Sequence, residues 1–180
     1  MAPDGIILVH GGLHTAACWA PVLPLLELPS RAVDLPGRGA RPADLAQVGL
    51  DDCVAAVIDE ADSAGFGRFA LVGHSLAGVT ITETGFRHPE RIAQLVYVAA
   101  LVPPPGSNAS ILMTGGEIEG TLTVQEDQAR ILFGNDLTEQ QWLEHSRSLV
   151  PDAPGIMNAR LSGYPRDIPI AYINMAQDVP

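Results

Sequence analysis

Residues 69–89 read FALVGHSLAGVTITETGFRHP. The apolar run 69–72 predicts a short buried strand, and a helix is predicted to follow to about His88. Pro89 ends it, because proline has no N–H to continue the ladder and clashes with the turn before it. Between strand and helix stands Ser75, with Gly73 two residues before it and Ala77 two after. A strand that turns directly into a helix brings its flanking backbones almost into contact, so both positions must be small. The turn lifts the serine hydroxyl above the strand ends. It also aims the free N–H groups of the new helix at any developing negative charge. The common pattern has glycine where this chain has Ala77, here followed by Gly78. The arrangement is that of a nucleophile elbow, and Ser75 is the candidate nucleophile.

The segments on either side repeat the same alternation. Residues 6–10 (IILVH) form an apolar run that ends in glycines, as a buried parallel strand does. Residues 16–28 are predicted as a helix despite Pro21 and Pro24. Residues 31–35 (RAVDL) predict a second strand, closed by Pro36-Gly37. Leu50, Cys53, Val54, Val57, Ile58 and Ala61 recur at the spacing of one helix face, with Asp51, Asp52, Asp59 and Asp62 off it. Residues 92–100 and 168–174 predict a fourth and a fifth strand. The fifth is apolar on both faces, the pattern of a sheet interior. Repeated β-α-β units imply a single α/β domain over residues 1–180, a mostly parallel, doubly wound sheet with helices on both faces. The connection between the fourth and fifth strands is too long for a plain loop. Residues 103–166 are therefore read as a small helical cap inserted in the domain. Within it, Thr138-Glu139-Gln140-Gln141 fits a capping box, with Leu137 and Trp142 placed as a hydrophobic staple.

Composition narrows the partners. The 180 residues are 47% hydrophobic, enough for one sizeable core. Asp and Glu number 21 against 10 cationic residues, all arginine, for a net charge of -11. Such an acidic balance argues against nucleic acid and anionic membrane as partners. No apolar run approaches the ~20 residues of a membrane span, and the first strand begins too early for a signal peptide, so a cytoplasmic location is expected. Cys18 and Cys53 have no metal-site or disulfide spacing and are expected to be two buried thiols. Neither a metal nor an organic cofactor is implied.

Two further elements carry chemistry. His10-Gly11-Gly12 follows the first strand, where glycines let a backbone N–H approach a substrate carbonyl. An oxyanion needs two such donors, and the candidates are Gly12 and Leu76, the residue after the serine. His10 itself is expected to orient that loop. Asp178 comes four residues after the fifth strand, where a carboxylate can orient a histidine over Ser75.

The motifs Leu8-Val9-His10-Gly11-Gly12-Leu13-His14, Asp34-Leu35-Pro36-Gly37-Arg38-Gly39, Gly73-His74-Ser75-Leu76-Ala77-Gly78 and the strand 170–174 leading to Gln177-Asp178 resemble those of the α/β-hydrolase superfamily. The chain is similar to its lid-bearing group of plant methyl-ester esterases, hydroxynitrile lyases and small bacterial hydrolases. The resemblance implies Ser75 as nucleophile, Asp178 as triad acid and the backbone of Gly12 and Leu76 as oxyanion hole. The lyases of that group carry a threonine hydroxyl in the first loop and a lysine beside the catalytic histidine. This chain has Gly11 and Gly12 there and no lysine, which favours hydrolysis of small carboxylic esters. Alternative readings are a non-catalytic small-molecule-binding protein, or a lyase or cofactor-free oxygenase on the same scaffold. The family order places the catalytic histidine after the acid, whereas His10, His14, His74, His88 and His145 all precede Asp178. His145 is expected to be a helix-face residue. The general base, a last strand and a closing helix are therefore expected in sequence following Pro180, and the 180-residue form is expected to be weakly active or inactive alone.

Overall fold

The computed structural model describes residues 2–175. Five strands, β1 (Ile6–Val9), β2 (Ser30–Val33), β3 (Phe69–His74), β4 (Ile92–Val98) and β5 (Ile170–Ile173), form one sheet in the order β2-β1-β3-β4-β5. Every pairing is parallel, with Ile6 opposite Ala70, Leu71 opposite Leu95 and Leu95 opposite Ile170. Parallel neighbours need crossovers, and helices α1 (Leu50–Ser63) and α2 (Ala77–Arg87) supply them. The apolar face predicted for α1 is the buried one: Leu50, Cys53, Val54, Val57 and Ala61 join Ile7, Val9, Phe69, Leu71 and Leu95 in the core. The central strand β3 ends immediately before Ser75, so the candidate nucleophile stands at the end of a strand paired on both sides.

Two expectations need correction. Residues 16–28 are not a helix but two 3-10 turns, Ala16–Trp19 and Leu23–Leu25. Pro21 and Pro24 remove the N–H groups a longer helix would need. That change of conformation leaves Cys18 exposed, while Cys53 is buried and its thiol is pushed up to about 12 by the loss of solvent. The fifth strand pairs only with β4 among the described residues, and its Ile170, Tyr172 and Ile173 are largely exposed.

Between β4 and β5 the chain forms four short helices: α3 (Ala109–Thr114), α4 (Glu126–Phe133), α5 (Glu139–Ser146) and α6 (Pro154–Met157). The capping box opens α5 as expected, with Thr138 Oγ1 accepting the Gln141 N–H and Gln141 Oε1 accepting the Thr138 N–H. A two-way backbone pair between Leu122 and Asp152 ties this helical excursion together. Val150 N–H reaches the Leu13 carbonyl at 2.9 Å and so fastens it to the loop after β1. No helix among the described residues is long and apolar enough to cross a membrane.

Candidate active site

Ser75 has φ 51°, in the left-handed region that a residue with a Cβ adopts only under constraint. The constraint is visible in its backbone. Ser75 N–H donates to the Val98 carbonyl at 3.1 Å. The Ser75 carbonyl accepts the N–H groups of Gly78 at 3.0 Å and Leu101 at 2.8 Å. The small residues are required where the sequence places them. A Cβ on Gly73 would lie 3.2 Å from the Ala77 Cβ and 2.9 Å from Ile81. Gly78 rests directly on the Leu101 backbone.

The loop after β1 closes over this turn. A Cβ on Gly11 would sit 3.1 Å from the Ser75 Cβ, and one on Gly12 would sit 3.3 Å from Leu76 Cδ2. Gly12 and Leu76 are thus neighbours across the elbow, and the N–H of neither finds an acceptor among the described residues. Leu13, the next residue, is itself left-handed at φ 63°, a conformation that costs a residue with a Cβ about 1–2 kcal/mol. Its N–H donates to Asp152 Oδ2 at 2.9 Å. Asp152 is wholly buried and forms an ion pair with Arg38, which is almost as deeply buried.

Histidines hold the loop rather than face the serine. His10 Nε2 accepts the Leu35 N–H at 3.2 Å, so its proton is on Nδ1, which donates to the Gly11 carbonyl at 2.8 Å. This is the loop-orienting part expected for it. His14 Nδ1–H donates to the Gly12 carbonyl at 2.7 Å, and its Nε2 accepts from His145 Nε2 at 3.2 Å. His145 is therefore a partner of the loop and not only a residue on the face of α5. Nothing in the sequence pairs these two residues, which are 131 positions apart. The same holds for Asp152, which sequence reasoning missed; its only local signal is a position between Pro151 and Pro154 in an otherwise unremarkable turn.

Burial pulls the His10 pKa down to about 4 from 6.5, with Arg38 and His14 adding to the shift and the Gly11 carbonyl and Asp34 opposing it. The unfolded chain then binds more protons than the folded one between those values. Stability is complete above 6.5 and is lost as pH falls toward 4, by on the order of 3 kcal/mol from this group. Burial lowers His14 and His145 as well, so they act in the same direction. Denaturant midpoints measured from pH 7 to pH 4 should fall steeply in the native sequence and less steeply in His10→Gln, whose amide oxygen still accepts the Leu35 N–H. An unchanged slope in the variant would assign the acid loss to other groups.

Ser75, Gly12, Leu76 and His74 line a cavity of about 330 Å³ whose far wall comes from the helical excursion: Met113, Leu122, Gln128, Leu132 and Phe133 among others. Asp178 lies outside the described residues. Among those residues no group of His, Cys, Asp and Glu is arranged to hold a metal ion.

A strained serine at a strand-to-helix turn, two glycines across from it and a parallel sheet beneath define the α/β-hydrolase architecture. The chain belongs to the alpha/beta hydrolase family, whose model matches residues 6–178. It is 35% identical over 124 residues to a pyrethroid hydrolase of Sphingobium wenxiniae, covering 65% of this chain and 43% of the relative. It is 34% identical over 112 residues to the probable esterase PIR7A of Oryza sativa, covering 59% of this chain and 43% of the relative. The chain thus spans less than half the length of these relatives. Among solved structures, a methylesterase from Arabidopsis superposes with a TM-score of 0.78 at 22% identity, over 96% of this chain and 78% of that one. An extracellular alpha/beta-hydrolase from a Paenibacillus species gives the same score and identity over 94% of this chain and 76% of that one.

Proposed function

We propose that this chain carries the nucleophile, oxyanion donors and substrate cavity of a serine esterase acting on small carboxylic esters. The observation that carries the reading is Ser75, held left-handed at the elbow and opening into a cavity of about 330 Å³. Ser75 attacks the ester carbonyl, and the oxygen that becomes negative is received by the N–H groups of Gly12 and Leu76, which find no acceptor among the described residues. The alcohol leaves, and water cleaves the acyl-enzyme. The helical excursion serves as the cap. Its mostly apolar wall, with Gln128 and Thr123 as polar points, suits an ester with an apolar acyl or alcohol group.

The first step needs a base for the Ser75 proton. The four histidines outside the elbow are engaged elsewhere: His10 with Leu35 and Gly11, His14 with Gly12, His145 with His14, and His88 beside Glu90 past the far end of α2. The base this reading needs is a histidine within reach of Ser75 and oriented by a carboxylate, for which Asp178 is the proposed acid. The names of the relatives, a pyrethroid hydrolase and an esterase, agree with ester cleavage as the reaction. The full-length protein should turn over short-chain p-nitrophenyl esters and be labelled on Ser75 by a fluorophosphonate. Binding of esters without turnover or labelling would replace the esterase with a small-molecule receptor on the same fold.

A further inference from the structure

We propose that Asp152 is the positioning residue of the oxyanion loop, fixing the Gly12–Leu13 peptide so that the Gly12 N–H stays available to the substrate oxygen. This rests on the esterase reading above and adds to it a residue from the cap.

The Gly12–Leu13 peptide is held at both of its polar groups. His14 Nδ1–H takes the Gly12 carbonyl at 2.7 Å, and Asp152 Oδ2 takes the Leu13 N–H at 2.9 Å. The Leu13 carbonyl is held in turn by Val150 N–H at 2.9 Å. Two contacts of the strained Leu13 thus come from one turn of the cap, residues 150–152. The Gly12 N–H lies in the preceding peptide, whose Gly11 carbonyl is held by His10 Nδ1–H at 2.8 Å. Glycine at position 12 has wide backbone freedom between the two planes, so the second plane must be fixed from outside for the first to keep its aim. Asp152 also crowds that position, since a Cβ on Gly12 would lie 3.1 Å from Oδ2 and the carboxylate would have to give.

The carboxylate is itself rigid. Its Oδ1 accepts the Ala153 N–H at 3.0 Å and faces the Arg38 guanidinium, and its backbone is paired both ways with Leu122. Stability alone does not account for the Arg38–Asp152 pair. Burying two charges costs their hydration, and replacing such a pair with apolar residues is often neutral or stabilising. Here the cost is raised further, because Arg38 Nε and Nη1 are buried with no partner among the described residues. What the charge supplies that an apolar side chain cannot is a charge-assisted acceptor for the Leu13 N–H. Arg38 provides its countercharge.

The test compares two double variants in the full-length protein. R38M/D152N and R38M/D152V both remove the two charges, so neither leaves one of them buried alone. Asparagine retains an oxygen for the Leu13 N–H and valine does not. We expect R38M/D152V to lose about 10²–10³ in kcat, the effect of one oxyanion donor, with KM nearly unchanged. R38M/D152N should recover kcat to within about tenfold of the native protein, an expectation taken from the retained hydrogen bond. Amide exchange supplies a readout that does not depend on turnover: the Leu13 N–H should lose protection in the valine variant and keep it in the asparagine variant. Native kcat and native Leu13 protection in R38M/D152V would overturn the proposal. Lost protection at Leu13, in a protein whose turnover is indifferent to Ser75→Ala, would sustain the clamp on the loop and remove the esterase reading instead.

Discussion

Replacing Ser75 with alanine should lower ester turnover in the full-length protein by on the order of 10⁴–10⁶ while leaving the fold in place. The size of the loss follows from the chemistry. The Oγ is the only heavy atom removed, and in the proposed mechanism it is the atom that forms the acyl bond, so the residual rate is what the proposed oxyanion donors and the cavity supply with water alone. The fold should tolerate the change because the elbow is held by backbone groups: the Ser75 N–H to Val98, and its carbonyl to Gly78 and Leu101. Alanine keeps the Cβ against which Gly11 packs and takes the same left-handed backbone at similar cost. Steady-state kinetics on p-nitrophenyl esters, with circular dichroism and melting temperature alongside, measure both halves. A loss of less than tenfold with the fold intact would mean that the serine is not the nucleophile.

Gly78→Ala should be the most damaging single-methyl substitution near the site. Inside an exposed helix, alanine would be preferred to glycine by about 1 kcal/mol. At position 78 the new Cβ would overlap the Leu101 carbonyl oxygen and lie 2.9 Å from its carbon and 3.0 Å from its nitrogen. Those are backbone atoms, and Leu101 cannot retreat without pulling on the Ser75 carbonyl that its N–H holds at 2.8 Å. Overpacking of about 1–3 kcal/mol therefore outweighs the propensity gain. The displaced elbow should cost about 10² in turnover as well, as misplacement of reacting groups by about an ångström does. Gly116→Ala, where a Cβ meets nothing within 4 Å, is the control and should be close to neutral. Equal melting temperatures and equal kcat for the two variants would contradict the packing described here.

The sheet was readable because each parallel strand is mostly apolar, interrupted only by Ser30 and Arg31 in β2 and Gln94 in β4, or closed by glycine, histidine or a turn. The elbow was readable because its steric demand falls on residues two positions away, within reach of a local pattern. The failures have two causes, one local and one long-range. The 3-10 turns of residues 16–25 arise where two prolines override an apolar periodicity, and the exposure of Cys18 follows from them. The contacts that hold the loop after β1 were invisible because their partners are far apart in sequence: Leu13 with Asp152, His14 with His145 and Arg38 with Asp152. No motif spacing encodes a buried charge pair between a loop of the sheet and a turn of the helical excursion between β4 and β5. His10 is the exception: its position at the strand end gave its loop-orienting part directly.

The bond between Leu13 and Asp152 spans 139 positions of the chain, whereas β1 and β2 meet across a separation of 24, from Ile6 to Ser30. Closing the longer loop costs only about 1.5 kcal/mol more in chain entropy, but it can be repaid only after the sheet that carries Leu13 and the turn that carries Asp152 both exist. During refolding, therefore, the loop after β1 can be in place as a strand end before its peptide is set. Recovery of helix and sheet signals should run ahead of recovery of turnover, and the interval between them measures how long the newly formed sheet waits for the excursion between β4 and β5 to dock.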